Sequence, residues 1–304
     1  YQNELHSYRD LPLRIAEIAN DFRYEASGAL CGIERARAFT QNDSHIFCRE
    51  DQIKEEFKAV IDLILEVYQD FGFENYQFRL SLRDKNNKDK YFGNDALWEK
   101  SEQELREVLE EIHADFYEAE GEAAFYGPKL DVQVKSALGH DVTLSTVQLD
   151  YQLPERFELT YIDKDGSKAR PVVIHRAILG SLDRFIAFLL EETKGNLPLW
   201  LAPVQAVVIP VSKEHQGDYA ESIFNTLKEK GISVGLDDRN EKLGYRLRET
   251  QMRKINYTVI LGEKEKEEGT ISYRLHGKQE TNTVSIEEFI TLIKEEIEQK
   301  KLRA

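Results

Sequence analysis

Only two cysteines occur in the 304 residues, Cys31 and Cys48, too few for the paired framework of a disulfide-stapled secreted domain. No apolar run approaches the roughly 20 residues that span a bilayer, and no basic segment followed by an apolar stretch opens the chain. These absences point to a soluble protein of a reducing cytoplasm, with no membrane partner. No glycine-rich loop ends in Lys-Ser or Lys-Thr and no Gly-x-Gly-x-x-Gly fingerprint is present, which argues against nucleotide binding on a P-loop or Rossmann scaffold. Internal repeats and low-complexity tracts are also missing. Basic residues are in the minority, and the formal net charge of -15 excludes nucleic-acid binding by bulk electrostatics. An RNA partner would need local basic patches, for which Arg239, Lys242, Arg246, Arg248, Arg253 and Lys254 are candidates, although a solvated helix face reads the same way.

What is present suffices for two domains, each with a core of its own. Apolar residues recur at helical spacing from Asp51 to about Phe71, with Asp51 as N-cap. A second helix is expected from about Glu102 to Tyr117, with Ser101 and Glu104 at capping-box spacing. Gln77–Leu82 and Leu130–Val134 alternate as half-buried strands do. Gly195 to Pro203, with two prolines, is the expected boundary, giving domains at 1–200 and 201–304. Beyond it, strands at 204–210, 232–236 and 257–261 alternate with helices at 219–230 and 242–252, and a charged helix at 285–300 closes the chain. That order predicts a small α/β domain with a mainly parallel sheet. The chain opens on Tyr1 rather than Met, which points to a piece of a longer polypeptide.

The run Phe22-Arg23-Tyr24-Glu25-Ala26-Ser27-Gly28 and the later His175-Arg176-Ala177-Ile178-Leu179-Gly180-Ser181-Leu182-Asp183-Arg184 pair two arginines with glycine-bearing turns. An arginine fork holds phosphate or carboxylate through parallel charge-assisted hydrogen bonds. Singly, Arg23 and Glu25 could be a surface pair and Arg184 a helix salt bridge. Jointly they resemble motifs 2 and 3 of the class II aminoacyl-tRNA synthetases. Thr40-Gln41-Asn42-Asp43-Ser44-His45 and Phe125-Tyr126-Gly127-Pro128-Lys129 narrow the resemblance to the threonyl branch of that class.

The resemblance implies an α/β chain: an antiparallel sheet core flanked by helices, then a small anticodon-binding domain. Arg23 aligns with the arginine that bridges amino-acid carboxylate and α-phosphate, and Arg184 with the clamp on ATP. It also implies that Glu25 meets adenine, Arg37 the terminal phosphates, Lys129 the phosphate end of the site and Gln148 both ligands. Gln41, Asp43, Tyr126 and Thr146 would line the threonine pocket, and Thr143 stands where some relatives carry glutamine. His45 and His175 match two zinc ligands, the third being a cysteine expected upstream of Tyr1. Mg2+ would accompany ATP. Zinc would read both the amino and hydroxyl groups of threonine, a discrimination that shape alone achieves poorly against valine. In the C-terminal domain, Asn240, Arg248, Glu265 and Arg274 align with anticodon-contacting positions, Glu265 lying in a run that could be only a charged loop.

The partners implied are ATP, L-threonine and threonine tRNA, with a homodimer in the full-length protein. Motif 1 and an editing region would precede Tyr1. A non-catalytic RNA-binding paralogue or fragment is the rival reading, opposed by the intact Arg23, Glu25, Arg37 and Arg184.

Overall fold

The computed structural model describes residues 1–91, 95–137 and 139–302, which fall into two compact units, Tyr1–Leu189 and Leu190–Ala304. The first unit is built on β1 (Leu13–Phe22), β2 (Ala38–Cys48), α1 (Ile53–Phe71), β3 (Tyr76–Leu82), α2 (Asp95–Glu111), β4 (Phe116–Glu120), β5 (Lys129–Lys135), β6 (Asp141–Asp150), α3 (Gln152–Arg156), a small hairpin of β7 (Tyr161–Ile162) with β8 (Lys168–Ala169), and β9 (Val172–Ala177). α4 (Leu182–Glu192) follows and runs across the division. Seven strands form one sheet in the order β1-β2-β9-β6-β5-β3-β4, antiparallel throughout except for the parallel pair β3 and β4.

Period-two alternation gives that sheet two unlike faces. Ile46, Leu80, Leu130, Val132, Leu149 and Ile174 point to one side and pack with Phe57, Val60, Ile61, Ile64 and Tyr68 of α1. Each such side chain contributes about 1.5–3 kcal/mol of burial. The Tyr68 hydroxyl, 2.9 Å from Ser145 Oγ, ties the helix to β6. The opposite face carries the polar residues described below.

Two expectations are corrected here. α1 begins at Ile53 after a 3-10 turn at Glu50–Gln52, and Asp51 accepts from Arg49 instead of capping it. α2 starts at Asp95, not Glu102. Ser101 lies inside it, donating to the Leu97 carbonyl at 2.6 Å, the back-bond of a mid-helix serine rather than a cap. The helix stops at Glu111, and residues 116–120 are strand because the edge of β3 offers them a ladder.

The second unit holds β10 (Ala206–Pro210), α5 (Lys213–Glu229), β11 (Val234–Leu236), α6 (Leu243–Met252), β12 (Tyr257–Leu261), α7 (Glu263–Glu268), β13 (Thr270–Leu275), β14 (Asn282–Ser285) and α8 (Ile286–Glu298). Its sheet runs β11-β10-β12-β13-β14, parallel in the first two pairings and antiparallel in the last two, so it is mixed rather than mainly parallel. The run at 263–268, which the sequence allowed to be a loop, is a short helix.

Candidate functional site

The polar face of the large sheet collects residues from strands far apart in sequence. His45 on β2 pairs with His175 on β9, His175 with Gln148 on β6, Gln148 with Lys129 on β5, and Lys129 with Ser81 on β3. These five form one row across the sheet. In the adjacent row Thr146 faces Asp131, which faces Arg79.

Asp131 is 2% exposed and accepts from Arg79 Nη2 at 2.7 Å, Lys129 Nζ at 2.9 Å and Thr146 Oγ1 at 3.0 Å. Burial alone would raise its carboxyl, but the cations of Arg79 and Lys129 outweigh burial and hold it below the usual carboxylate range. Gln148 Nε2 donates to Thr146 Oγ1 at 3.3 Å, and the Tyr126 hydroxyl donates to Gln148 Oε1. The Tyr126 ring lies 5.8 Å from that of His175.

The His45 and His175 rings stand edge to face with centroids 4.7 Å apart. Burial, and then His175 itself, push the His45 imidazole below its ordinary value, which favours the neutral ring with one nitrogen able to ligate. His175 Nε2 lies 2.8 Å from Asp150 Oδ2, a buried carboxylate whose other oxygen accepts from the backbone of Gln152 and Leu153. A carboxylate that orients an imidazole is the usual outer support of a metal-ligating histidine. Two imidazoles so placed suit zinc as a partial donor set. Among the described residues no three His, Cys, Asp or Glu side chains converge as a metal cage. Asp43, on the same strand, has Oδ2 3.9 Å from His45 Nδ1.

Beside these rows lies a cleft of about 170 Å3 whose lining includes Arg23, Glu25, Arg35, Gln41, Thr146 and Arg184. Arg23 stacks over Phe39 at 5.1 Å, and Arg35 approaches Glu25 at 3.5 Å. Arg184 Nε donates to the Glu34 carbonyl at 3.1 Å, fastening the β1–β2 connection to α4. Arg37 does not line the cleft. Its guanidinium donates to Glu25 O at 3.0 Å and to Ser27 Oγ at 3.3 Å, while the exposed Arg35, which the sequence reading passed over, contributes to the lining. Asp131 was also passed over; its signal was a carboxylate two residues from Lys129 on an alternating strand.

Two glycines are fixed by close approach. A Cβ on Gly127 would meet the Leu149 carbonyl oxygen at 2.0 Å, and Gly180, at φ +61°, would set one 2.7 Å from the Leu144 carbonyl oxygen. Both let backbone close on β6 beneath the cleft.

In the second unit, Arg248 on α6 is exposed and lines a cleft of about 730 Å3 with Tyr245, Met252, Leu236 at the end of β11 and Asp237 just after it. Asn240 is exposed just after β11. Arg274 pairs in register with Thr258, and its Nε donates to Thr281 Oγ1 at 2.7 Å. Glu265 accepts from Gly262 N at 2.9 Å and Ser272 Oγ at 2.7 Å, so it caps α7 and braces β13. The proposed basic patch is smaller than its sequence suggests. Arg246 is 2% exposed and donates to the Asp237 and Val211 carbonyls at 2.8 and 3.2 Å, Arg239 is held by Asp237 and Glu249, and Lys254 donates to the Lys194 carbonyl.

Residues 1–193 match the tRNA synthetase class II core domain (G, H, P, S and T), and residues 205–296 match the anticodon binding domain. With the antiparallel sheet and its arginine-lined cleft, this match places the chain in the class II aminoacyl-tRNA synthetases. A "Threonine--tRNA ligase" of Geobacillus kaustophilus is 56% identical over 303 residues, covering 100% of this chain and 46% of that relative. The RNA binding domain of threonyl-tRNA synthetase from Cryptosporidium parvum superposes at a TM-score of 0.90 with 36% identity, over 97% of this chain and 73% of that one. A putative threonyl-tRNA synthetase from Aeropyrum pernix does so at 0.81 with 29% identity, over 95% of this chain and 70% of that one. Within the class, the chain belongs to the threonyl-tRNA synthetase family. It spans about half the length of the curated relatives it matches. No helix among the described residues is long and apolar enough to cross a membrane.

Proposed function

We propose that this chain carries the amino-acid-activating and anticodon-reading portions of an enzyme that joins L-threonine to its tRNA. The observation that carries this reading is the row of His45, His175, Gln148 and Lys129 beside a cleft lined by Arg23 and Arg184. A threonine carboxylate oxygen attacks the α-phosphorus of ATP, the bond from that phosphorus to the pyrophosphate oxygen breaks, and threonyl-adenylate forms. A ribose hydroxyl of the tRNA terminus then attacks the adenylate carbonyl and AMP leaves. Arg23 and Lys129 offset the repulsion between two anions, and rate comes from positioning and from charge stabilisation, terms worth several kcal/mol each.

Adenine is assigned to Glu25 and Phe39, the ATP phosphates to Arg184 with magnesium, and the threonine side chain to Gln41, Asp43, Tyr126, Thr146 and Gln148. His45 and His175 would hold zinc, which when bound would accept the threonine amino and hydroxyl groups and so select against valine. For the anticodon, Arg248, Asn240 and Arg274 are the exposed or half-exposed candidates. Glu265 reads bases only if its capping role leaves an oxygen lone pair free. In the whole protein we expect a homodimer, and a cytoplasmic setting in which Cys31 and Cys48 stay reduced.

Amino-acid-dependent ATP–pyrophosphate exchange tests the proposal, with threonine, serine, valine, proline and histidine compared and zinc content measured. Exchange with threonine, less with serine and none with valine, is expected. Exchange led by another amino acid would overturn the assignment, and no exchange with any, in this chain or in the full-length protein, would favour a non-catalytic RNA-binding role.

A further inference from the structure

Four side chains of the amino-acid pocket form a hydrogen-bond chain that can run in only one direction. Its fixed end is Asp131, which is buried and held between the cations of Arg79 and Lys129. An ionised carboxylate has no proton to give, so Thr146 must spend its only hydroxyl proton on Asp131 Oδ1, at 3.0 Å. The Thr146 oxygen can then only accept, which turns the amide nitrogen of Gln148 towards it, at 3.3 Å. The Gln148 carbonyl oxygen is left pointing away, and the Tyr126 hydroxyl donates to it. Tyr126 therefore has no proton for a ligand and two lone pairs that accept one.

We propose that Asp131 is a positioning residue that sets this polarity through Thr146 and Gln148, so that the Tyr126 phenolic oxygen, beside His175, accepts a hydrogen bond from the protonated or hydroxylic end of the amino acid. The inference rests on the reading of the site as an amino-acid pocket. An asparagine at 131 can donate as well as accept, and the chain can then reverse: Thr146 donates to Gln148, whose amide donates to Tyr126, whose proton faces the ligand. The ligand's donor meets a donor, and binding of the amino acid weakens while ATP is little affected.

The test is a double-mutant cycle on the whole chain, reading the threonine KM in ATP–pyrophosphate exchange. Asp131→Asn and Tyr126→Phe should each raise it about ten-fold, the loss of one hydrogen bond's worth of discrimination. Together they should raise it by no more than either alone, because both remove the same acceptor. Thr146→Val interrupts the chain while leaving the Arg79 and Lys129 contacts to Asp131 in place, and should behave as Asp131→Asn does. Effects that multiply, or an ATP KM that rises as much as that for threonine, would overturn the inference while leaving the proposed function standing. If neither this chain nor the full-length protein shows threonine-dependent exchange, the proposed function fails, and the hydrogen-bond chain is read instead from the side-chain amide protons of Gln148 by NMR. Slow solvent exchange in the unchanged protein that becomes fast in Thr146→Val supports the directed chain, and equal rates in the two refute it.

Discussion

Replacing Gly127 by alanine adds one methyl group and should disable the site. The added Cβ would stand 2.0 Å from the Leu149 carbonyl oxygen and 2.9 Å from its carbon, both backbone atoms of a central strand. Real Cβ contacts do not fall below about 3 Å, so the Tyr126–Pro128 segment must retreat by about 1 Å or more. It cannot retreat freely, because Leu149 N donates to the Pro128 carbonyl at 3.1 Å and Gly127 itself is buried. Overpacking of this kind costs about 1–3 kcal/mol. For a unit of this size that lowers Tm by roughly 2–4 °C per kcal/mol. The larger effect is on chemistry, since Tyr126 and Lys129 flank the glycine and a displacement of about 1 Å can cost about a hundredfold in rate. Thermal unfolding followed by circular dichroism, alongside threonine-dependent ATP–pyrophosphate exchange, measures both. Gly127→Ala protein with unchanged Tm and unchanged exchange would show that the close approach to β6 does not constrain the site.

Arg184→Ala should abolish adenylate formation and leave tRNA affinity intact, whereas Arg274→Ala should do the reverse; filter binding and pyrophosphate exchange on both variants separate the two, and unaltered tRNA affinity in Arg274→Ala would remove that arginine from the anticodon face. Arg246→Leu strands the Val211 and Asp237 carbonyls and should destabilise the second unit by about 2–6 kcal/mol, at roughly 1–3 kcal/mol per orphaned group, seen as a lower urea midpoint; an unchanged midpoint would deny the buried guanidinium its role. The Asp131 carboxyl is depressed in the folded state, so its contribution to stability is whole above the unfolded value of about 3.9 and is lost as pH falls through the lower folded value. Acid unfolding of Asp131→Asn should therefore lose part of its pH dependence below about pH 4, and an unchanged acid limb would contradict the ion-pair assignment. Iodoacetamide should label Cys31 and spare Cys48, whose thiol burial pushes up to about 12, and equal labelling of native protein would contradict the buried placement.

What the sequence disclosed followed the strength of local signals. α1 was legible because a continuous apolar stripe from Ile53 to Tyr68 meets one core. The start of α2 was not, because Ser101 and Glu104 mimic a cap while Trp98 in the first turn buries against Tyr91 and Ala123, a contact with no periodic signature. The helix was carried on to Tyr117, into the first residues of β4, because their strand state is imposed by the edge of β3. In the site, the motifs point to residues that the structure gathers on one sheet face and its adjoining cleft, but that Arg35 rather than Arg37 lines this cleft depends on how the β1–β2 connection folds back. Arg246 could not be separated from its exposed basic neighbours, since only the sheet ends that it joins reveal its burial.

The row from His45 to Ser81 has a kinetic consequence. Its members become neighbours only after β2, β9, β6, β5 and β3 have all found their partners, and the β2–β9 closure spans most of the first unit. Long-range pairings of this sort form late and slowly. If this row holds the amino acid as proposed, an intermediate with only part of the sheet lacks the site, so the gain of ligand affinity during refolding would time the last strand pairing, and bound ligand would protect the entire unit against opening rather than the pocket alone.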